Sequence, residues 1–286
     1  MISKVQAAPA TGEQTTALGL DLGSKTSSKL DGKIDNQLGQ IFGLLSTAMI
    51  DANAALADAL NTGSIILLVD FQTKDFTTSS AAGLSVKFGE NPNPAACDAN
   101  MVCGNHLKGN ATFSIAADSP TDAALAGKIE NGTFNSEAGD ISLKIALAAG
   151  APITLSLLHA RVKASGISDT GIMTATVGGL VTQDELMTQI APVLQGQLDG
   201  IFAAECPANA MPPNCGCTGT ADVLLTTLRV DGADGSAMDC KVSAAELFAF
   251  GPVKTVLTPD SCSQDTCSAP DALSIGVKIE AVKATF

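Results

Sequence analysis

Ile34, Leu38, Ile41, Leu45, Met49, Ala52, Leu56 and Leu60 recur at steps of three and four, an apolar stripe that predicts one long helix or a bent pair. Asn61 to Gly63 ends it. The period then shortens to two. Ser64 to Phe71 is a β-branched run that reads as a buried strand, and strands are expected at Leu84–Phe88, Ala111–Ala116, Ala124–Glu130, Ile141–Ala148, Ile153–Leu158, Arg161–Ser165 and Gly171–Val177. Alternation is clean in Ile141-Ser-Leu-Lys-Ile and Ile153-Thr-Leu-Ser-Leu, which gives each an apolar and a polar face. Short connections at Ala149-Gly150 and Ser168-Asp169 suit antiparallel hairpins.

Helical spacing returns after Thr182-Gln-Asp-Glu185, a capping-box sequence, and continues to about Phe202, with Pro192 expected to kink or divide the helix. Asp222–Arg229 and Ala244–Phe250 read as two short helices, and Leu273, Ile275, Val277 and Ile279 alternate as a last strand. The pattern defines a β-dominated α+β protein: antiparallel sandwich or barrel-like sheets, two longer amphipathic helices and a small helix-loop-helix near the C-terminus. Residues 1–30 lack apolar periodicity and read as an extended lead-in. Residues 31–286 read as a single disulfide-stapled domain, because the last strand must pair with the middle ones; a split near residue 180 is the alternative.

Seven of the eight cysteines fall in three polar loops: Cys97 and Cys103; Cys206, Cys215 and Cys217; Cys262 and Cys267, with Cys240 apart. These spacings match no common zinc arrangement and only two histidines accompany them, so disulfides are expected. Cys97–Cys103 and Cys262–Cys267 each flank a short turn. A bridge across Cys215-Gly-Cys217 would be strained, so Cys240 is expected to join one of that pair and Cys206 the other. Oxidised pairs place the chain outside the cytoplasm: secreted, periplasmic or on the outer surface. Met1–Ala10 lacks the apolar core of a signal peptide, so the reading expects a leader removed ahead of Met1 or an added Met. A lipid anchor on a preceding segment fits as well. No apolar run reaches membrane-helix length, so no transmembrane segment is expected.

Composition removes function classes. A net charge of −13 with only Arg161 and Arg229 as guanidinium groups argues against nucleic acid as a partner. The chain has no Trp or Tyr, which argues against sugar stacking and against an outer-membrane barrel. Nucleophile-elbow, zincin, phosphate-loop and dinucleotide motifs are missing. His159 reads as a strand residue and His106 as a loop residue, and the chain is expected not to be an enzyme.

One stretch carries candidate chemistry. From Asp239 to Glu246 the spacing is that of the second half of an EF-hand loop, with Asp239 at position five, Lys241 giving a carbonyl at seven, Ser243 at nine and Glu246 at twelve. Asp231 and Asp234 complete the ligand set if a residue is inserted after Asp234. Two readings stay open: a calcium site, or a degenerate loop held by the bridge at Cys240.

The segment Pro270–Phe286, the acidic loop before Ala245-Glu246-Leu247, Ile34–Leu38 and Ala160–Lys163 resemble predicted surface lipoproteins of myxobacteria and related bacteria. The resemblance implies a surface location and carries no activity with it. The first expectation is therefore a non-catalytic cell-surface protein with a structural, adhesive or assembly role, whose partners are surface or extracellular proteins or its own copies. A carrier for an apolar ligand is the second reading, and a hydrolase using paired carboxylates the third. A continuous apolar cavity of roughly several hundred Å³ would favour the carrier, a solid core the structural role, and two converging buried carboxylates the hydrolase.

Overall fold

The computed structural model describes residues 1–10, 13–47, 51–145, 152–227 and 239–286. Its elements in chain order are β1 (Ile2–Gln6), α1 (Gln37–Thr47), α2 (Ala52–Thr62), β2 (Leu67–Gln72), β3 (Ser79–Asn93), β4 (Ala111–Ile115), β5 (Leu125–Glu130) and β6 (Thr133–Ser136). They continue with β7 (Gly139–Ile145), β8 (Ile153–Ser168), β9 (Gly171–Thr182), α3 (Gln183–Glu185), α4 (Ala191–Glu205), α5 (Gly219–Thr227), α6 (Ala244–Ala249), α7 (Gly251–Val256), β10 (Ala272–Val282) and β11 (Ala284–Thr285). The class is the expected β-dominated α+β.

One mixed sheet runs β1-β10-β9-β8-β6-β5-β3-β4-β11, with β2 added on β3 and β7 on β8. Its ladders are antiparallel except β11 on β4. The sheet curls, because strands from both of its ends face the same interior, but it does not close: among the described residues β1 and β2 do not pair.

The long apolar stripe forms a bent pair. Asn36 caps α1 through Oδ1, which accepts from Gly39 N at 3.1 Å; Asp51 caps α2 by accepting from Ala54 N. Leu38, Leu56 and Leu60 are buried as the stripe requires, whereas Ile34 precedes α1 and is exposed. Met49 lies outside the described residues, as do the side chains of Ile41 and Leu45. Gly63 at the end of α2 adopts a left-handed conformation (φ 73°), which a side chain would oppose.

Pro192 divides the second long helix through a wide turn. Residues Leu186–Ile190 form a π-type turn between α3 and α4, and Pro192 follows it as the second residue of α4. Only half of the capping box at Thr182 forms. Thr182 Oγ1 accepts from Glu185 N, but the Glu185 carboxylate reaches across to Ser156 N at 2.7 Å on β8.

Residues 1–30, expected as an extended lead-in, belong instead to the body of the fold. β1 pairs with β10, and Leu18 and Leu22 are buried. The crossing at Leu18–Leu22 depends on glycines in the sheet. A Cβ on Gly276 would meet the Leu18 carbonyl, and its ladder partner Gly178 lies under Leu20 and Leu22. Where β1 ends, side chains complete the bonding of β10: Asn36 Oδ1 accepts from Gly276 N at 2.9 Å and Asp260 Oδ1 from Ser274 N at 2.8 Å. Core residues from Ile2 to Ala281 form one cluster that spans both sides of residue 180.

Four disulfides close the loops: Cys97–Cys103, Cys206–Cys217, Cys215–Cys240 and Cys262–Cys267. Of the two connectivities left open for the middle four, Cys240 takes Cys215. The Cys262–Cys267 loop also anchors the N-terminal segment, through Cys267 N to the Thr26 carbonyl at 3.3 Å. No described helix is long and apolar enough to cross a membrane.

Candidate functional site

The alternation of each inward strand decides what faces the interior. Leu67 and Val69 of β2, Leu84 and Val86 of β3, and Ile141, Leu143 and Ile145 of β7 lie two apart and share one side. Ile275, Val277 and Ile279 of β10 do the same from across the sheet, with Val177 of β9 between. Phe42 of α1 and Ala52, Leu56 and Leu60 of α2 cover them. Between these surfaces lies a cavity of about 50 Å³. Apart from Lys144, the described residues that line it are apolar.

β8 would lose this alternation halfway without an irregularity. Leu155 and Leu157 line the cavity from odd positions, and Val162 from an even one. Between the pairs Leu158–Leu180 and Arg161–Gly178, β8 advances three residues while β9 advances two. This bulge inserts one extra residue and restores the inward phase. His159 stands in it with a left-handed backbone (φ 49°). Its N–H donates to Asp140 Oδ1 at 3.0 Å, and its ring Nε2 lies 3.0 Å from the Ser263 carbonyl in the Cys262–Cys267 loop. The two strands expected at Ile153–Leu158 and Arg161–Ser165 are thus one bent strand. Leu157 and Leu158, just before the bulge, face opposite ways: Leu157 lines the cavity and Leu158 packs with Leu20, Leu22 and Leu180.

Lys144 is the charged side chain at the wall. Its Nζ lies 2.7 Å from Asp118 Oδ2 and 4.4 Å from the centroid of the Phe88 ring. The lysine holds the Asp118 carboxyl below the usual carboxylate range, chiefly through that hydrogen bond. Lys144 is mostly covered while Asp118 is open to solvent, so the pair leads from the wall to the surface.

The sequence-predicted calcium residues are brought together only in part. Asp231 and Asp234 lie outside the described residues. Asp239 Oδ1 accepts from Lys241 N at 3.0 Å. Ser243 and Glu246 form a reciprocal capping box at the start of α6: Ser243 Oγ accepts from Glu246 N at 3.1 Å, and Glu246 Oε2 accepts from Ser243 N at 2.9 Å. Glu246 is buried, and that oxygen serves the helix end. Among the described residues no group of three or more His, Cys, Asp or Glu side chains is arranged to hold a metal ion.

Among the described residues, the most perturbed carboxyl stands away from the cavity wall. Burial raises Asp35 to about 6, with the charges of Asp260, Asp21 and Asp31 adding to the shift. Each of these groups is tied to backbone: Asp35 accepts from Leu22 N, Asp260 from Ser274 N, Asp21 from Gly32 N, and Asp31 from Lys33 N. Asp21, Asp31 and Asp35 thereby hold residues 21–35 to one another, and Asp260 holds its own loop to β10. His106 is fully buried beside Phe113 (ring centroids 6.2 Å apart), and burial lowers its pKa.

The fold and site define a disulfide-stapled α+β protein whose apolar core encloses a void of about 50 Å³. No protein-family profile, curated protein or solved structure matches this chain.

Proposed function

We propose that the protein is an extracytoplasmic binding protein that takes a short apolar group, about the size of a few water molecules, into the cavity between the curled sheet and α1–α2. The observation that supports this reading is the composition of the wall. The space holds several water-sized spheres, yet a buried water needs two to four polar partners and the wall gives almost none. An empty apolar cavity forfeits the dispersion contacts that its lining would make with a filled interior, and an apolar guest restores them. The four disulfides support an oxidising environment. A periplasmic or surface location, with a lipid anchor as in the surface lipoproteins that the chain resembles, belongs to the same proposal.

The test is mass spectrometry of organic extracts of the purified protein, followed by titration of the stripped protein with a fluorescent apolar probe. Stoichiometric co-purified lipid, or saturable probe binding that Val177→Phe abolishes while the protein stays folded, is the expected result. No extracted ligand and no probe binding, with Val177→Phe costing the ~1–3 kcal/mol of an overpacked core, would return the protein to the structural reading.

A further inference from the structure

We infer that the loop closed by Cys97–Cys103 is an acid-operated latch, in which protonation of His106 drives its ring out from between α2 and β4 and swings residues 94–110 off the body of the fold. His106 lies in a short turn, Asn105–Leu107, and is fully buried. Its Cε1 and Nε2 atoms face Gly63 at the end of α2, where a Cβ would stand 3.8 Å from each, and the ring makes an edge contact with Phe113 of β4. Neither ring nitrogen has a partner within hydrogen-bond geometry. The backbone around it is already committed: Leu60 O accepts from Gly63 N at 3.2 Å, Asn61 O from Gly104 N at 2.9 Å, Ala96 O from Asn105 N at 3.1 Å and Gly104 O from Leu107 N at 3.1 Å. A neutral imidazole survives in such a place at a cost, whereas an imidazolium needs water or a partner for both of its N–H groups.

The charged groups on the elements around the ring do not supply that partner. Asp51 caps the far end of α2, Asp58 is exposed, and β4 carries no ionisable side chain. Asp98 Oδ1 accepts from Asn100 N and Val102 N inside its own loop, and Lys108 Nζ donates to Asn105 Oδ1 at 3.0 Å. The Met1 amine, whose residue shares a small apolar cluster with Phe113, is itself lowered by burial to about 6 and donates to the Val282 carbonyl at 2.8 Å. Burial likewise lowers His106, and the Leu60 carbonyl offsets this only in part. The loop can move as a unit, because its disulfide joins two residues of the loop itself and the other three bridges lie elsewhere. Gly104 and Gly109, with left-handed φ of 88° and 84°, flank the turn that carries the ring and are the hinge positions. Leu107 packs on the cluster of Ile66, Leu68, Ala111 and Phe113, so opening bares an apolar surface that is separate from the main core.

Hydrogen exchange across pH 5–8, corrected for intrinsic exchange rates, tests the latch. Protection of the Gly104, Asn105 and Leu107 amides should fall by about tenfold per pH unit below about pH 6.5, the value of an unburied histidine, until the folded value is reached, while α4 and β9 keep theirs. His106→Leu and His106→Gln remove the titrating ring and should flatten this dependence, and Asp98→Asn in the same loop should leave it as in wild type. The Met1 amine titrates in all four proteins, so the difference between wild type and the His106 variants belongs to the ring. In wild type itself the His106 ring signals, with only those of His159 beside them, should titrate in step with the loss of protection, a readout that stands even if a variant fails to fold. Protection that does not change with pH in wild type, an equal dependence in the His106 variants, its disappearance in Asp98→Asn, or a loss that spreads to α4 and β9 together with the loop would overturn the latch.

Discussion

Beneath α1 and α2, leucines and valines from seven strands face one another across unfilled space, whereas Leu198, Phe202, Leu224 and Leu247 of α4–α6 join the same core without bordering that space. The two regions also differ in how the chain is tied. Cys206–Cys217 and Cys215–Cys240 staple the helical side, and Cys97–Cys103 and Cys262–Cys267 close peripheral loops, while no cysteine lines the cavity. A hollow interior gives up packing free energy, and cross-links that restrict the unfolded chain offset that loss without filling the hollow. The comparison shows how stability can be supplied away from the place where binding requires space.

The sharpest way to break this contrast is to truncate leucines on both sides. Leu198→Ala on the packed helical side is expected to cost about 4 kcal/mol, and Leu155→Ala at the cavity wall about 2 kcal/mol, because the wall leucine already lacks neighbours on one face. Equal costs in urea melts would mean that both sides are equally filled. Next, replacing Cys215 and Cys240 by Ser should lower stability by about 3 kcal/mol while leaving probe binding intact in the variant that remains folded. Loss of binding in folded protein would show that the staple shapes the cavity itself.

Smaller effects sharpen the boundary between the two regions. Ala221→Leu, at a fully buried position on α5, should cost about 2 kcal/mol, more than Val177→Phe at the cavity wall, as measured by melting temperature. Glu246→Ala should remove about 1 kcal/mol by undoing the α6 cap, equally in EDTA and in millimolar calcium. A loss that appears only in calcium would mark the acidic loop as an ion site.

Acidification acts outside both regions. The folded value of Asp35, about 6, lies above that of an unfolded aspartate, so its contribution is fully present below about pH 4 and is lost as pH rises through 6. Asp35→Asn should therefore stabilise the protein at pH 7 by on the order of 1 kcal/mol after solvent screening, and the gain should vanish near pH 4. His106 runs the opposite way: its lowered value means stability present above about pH 6.5 and lost as pH falls. Melting temperatures of wild type and Asp35→Asn across pH 4–8 check the sign.

Much of the wall was legible as separate pieces. The strands around Leu67, Ile141, Ile153 and Ile275 and the helical stripe through Leu56 and Leu60 all followed from period two or period 3.6. β1 was not legible, since Ile2 and Val5 give too short a pattern to stand apart from the polar residues that follow. β6 was missed for the same reason. The bulge at His159 left its sign only in the change of apolar phase from Leu155 and Leu157 to Val162. Lys144 looked like an ordinary outward residue of an alternating strand, and its place beside the cavity depends on Asp118 and Phe88, 26 and 56 positions away.

The sequence alone determined most of the longer strands and helices, β1 and β6 excepted, which of their faces are apolar, and which cysteines lie close enough along the chain to close their own loops. These are local properties, fixed by side-chain period, caps and turn residues within a few positions. Only the tertiary structure decided that the apolar faces meet around open space and that residues 1–30 cross the sheet at Gly276. A cavity is the difference between the volume enclosed by the backbone and the volume its side chains occupy, and residues as far apart as Ile2 and Ile279 contribute to both.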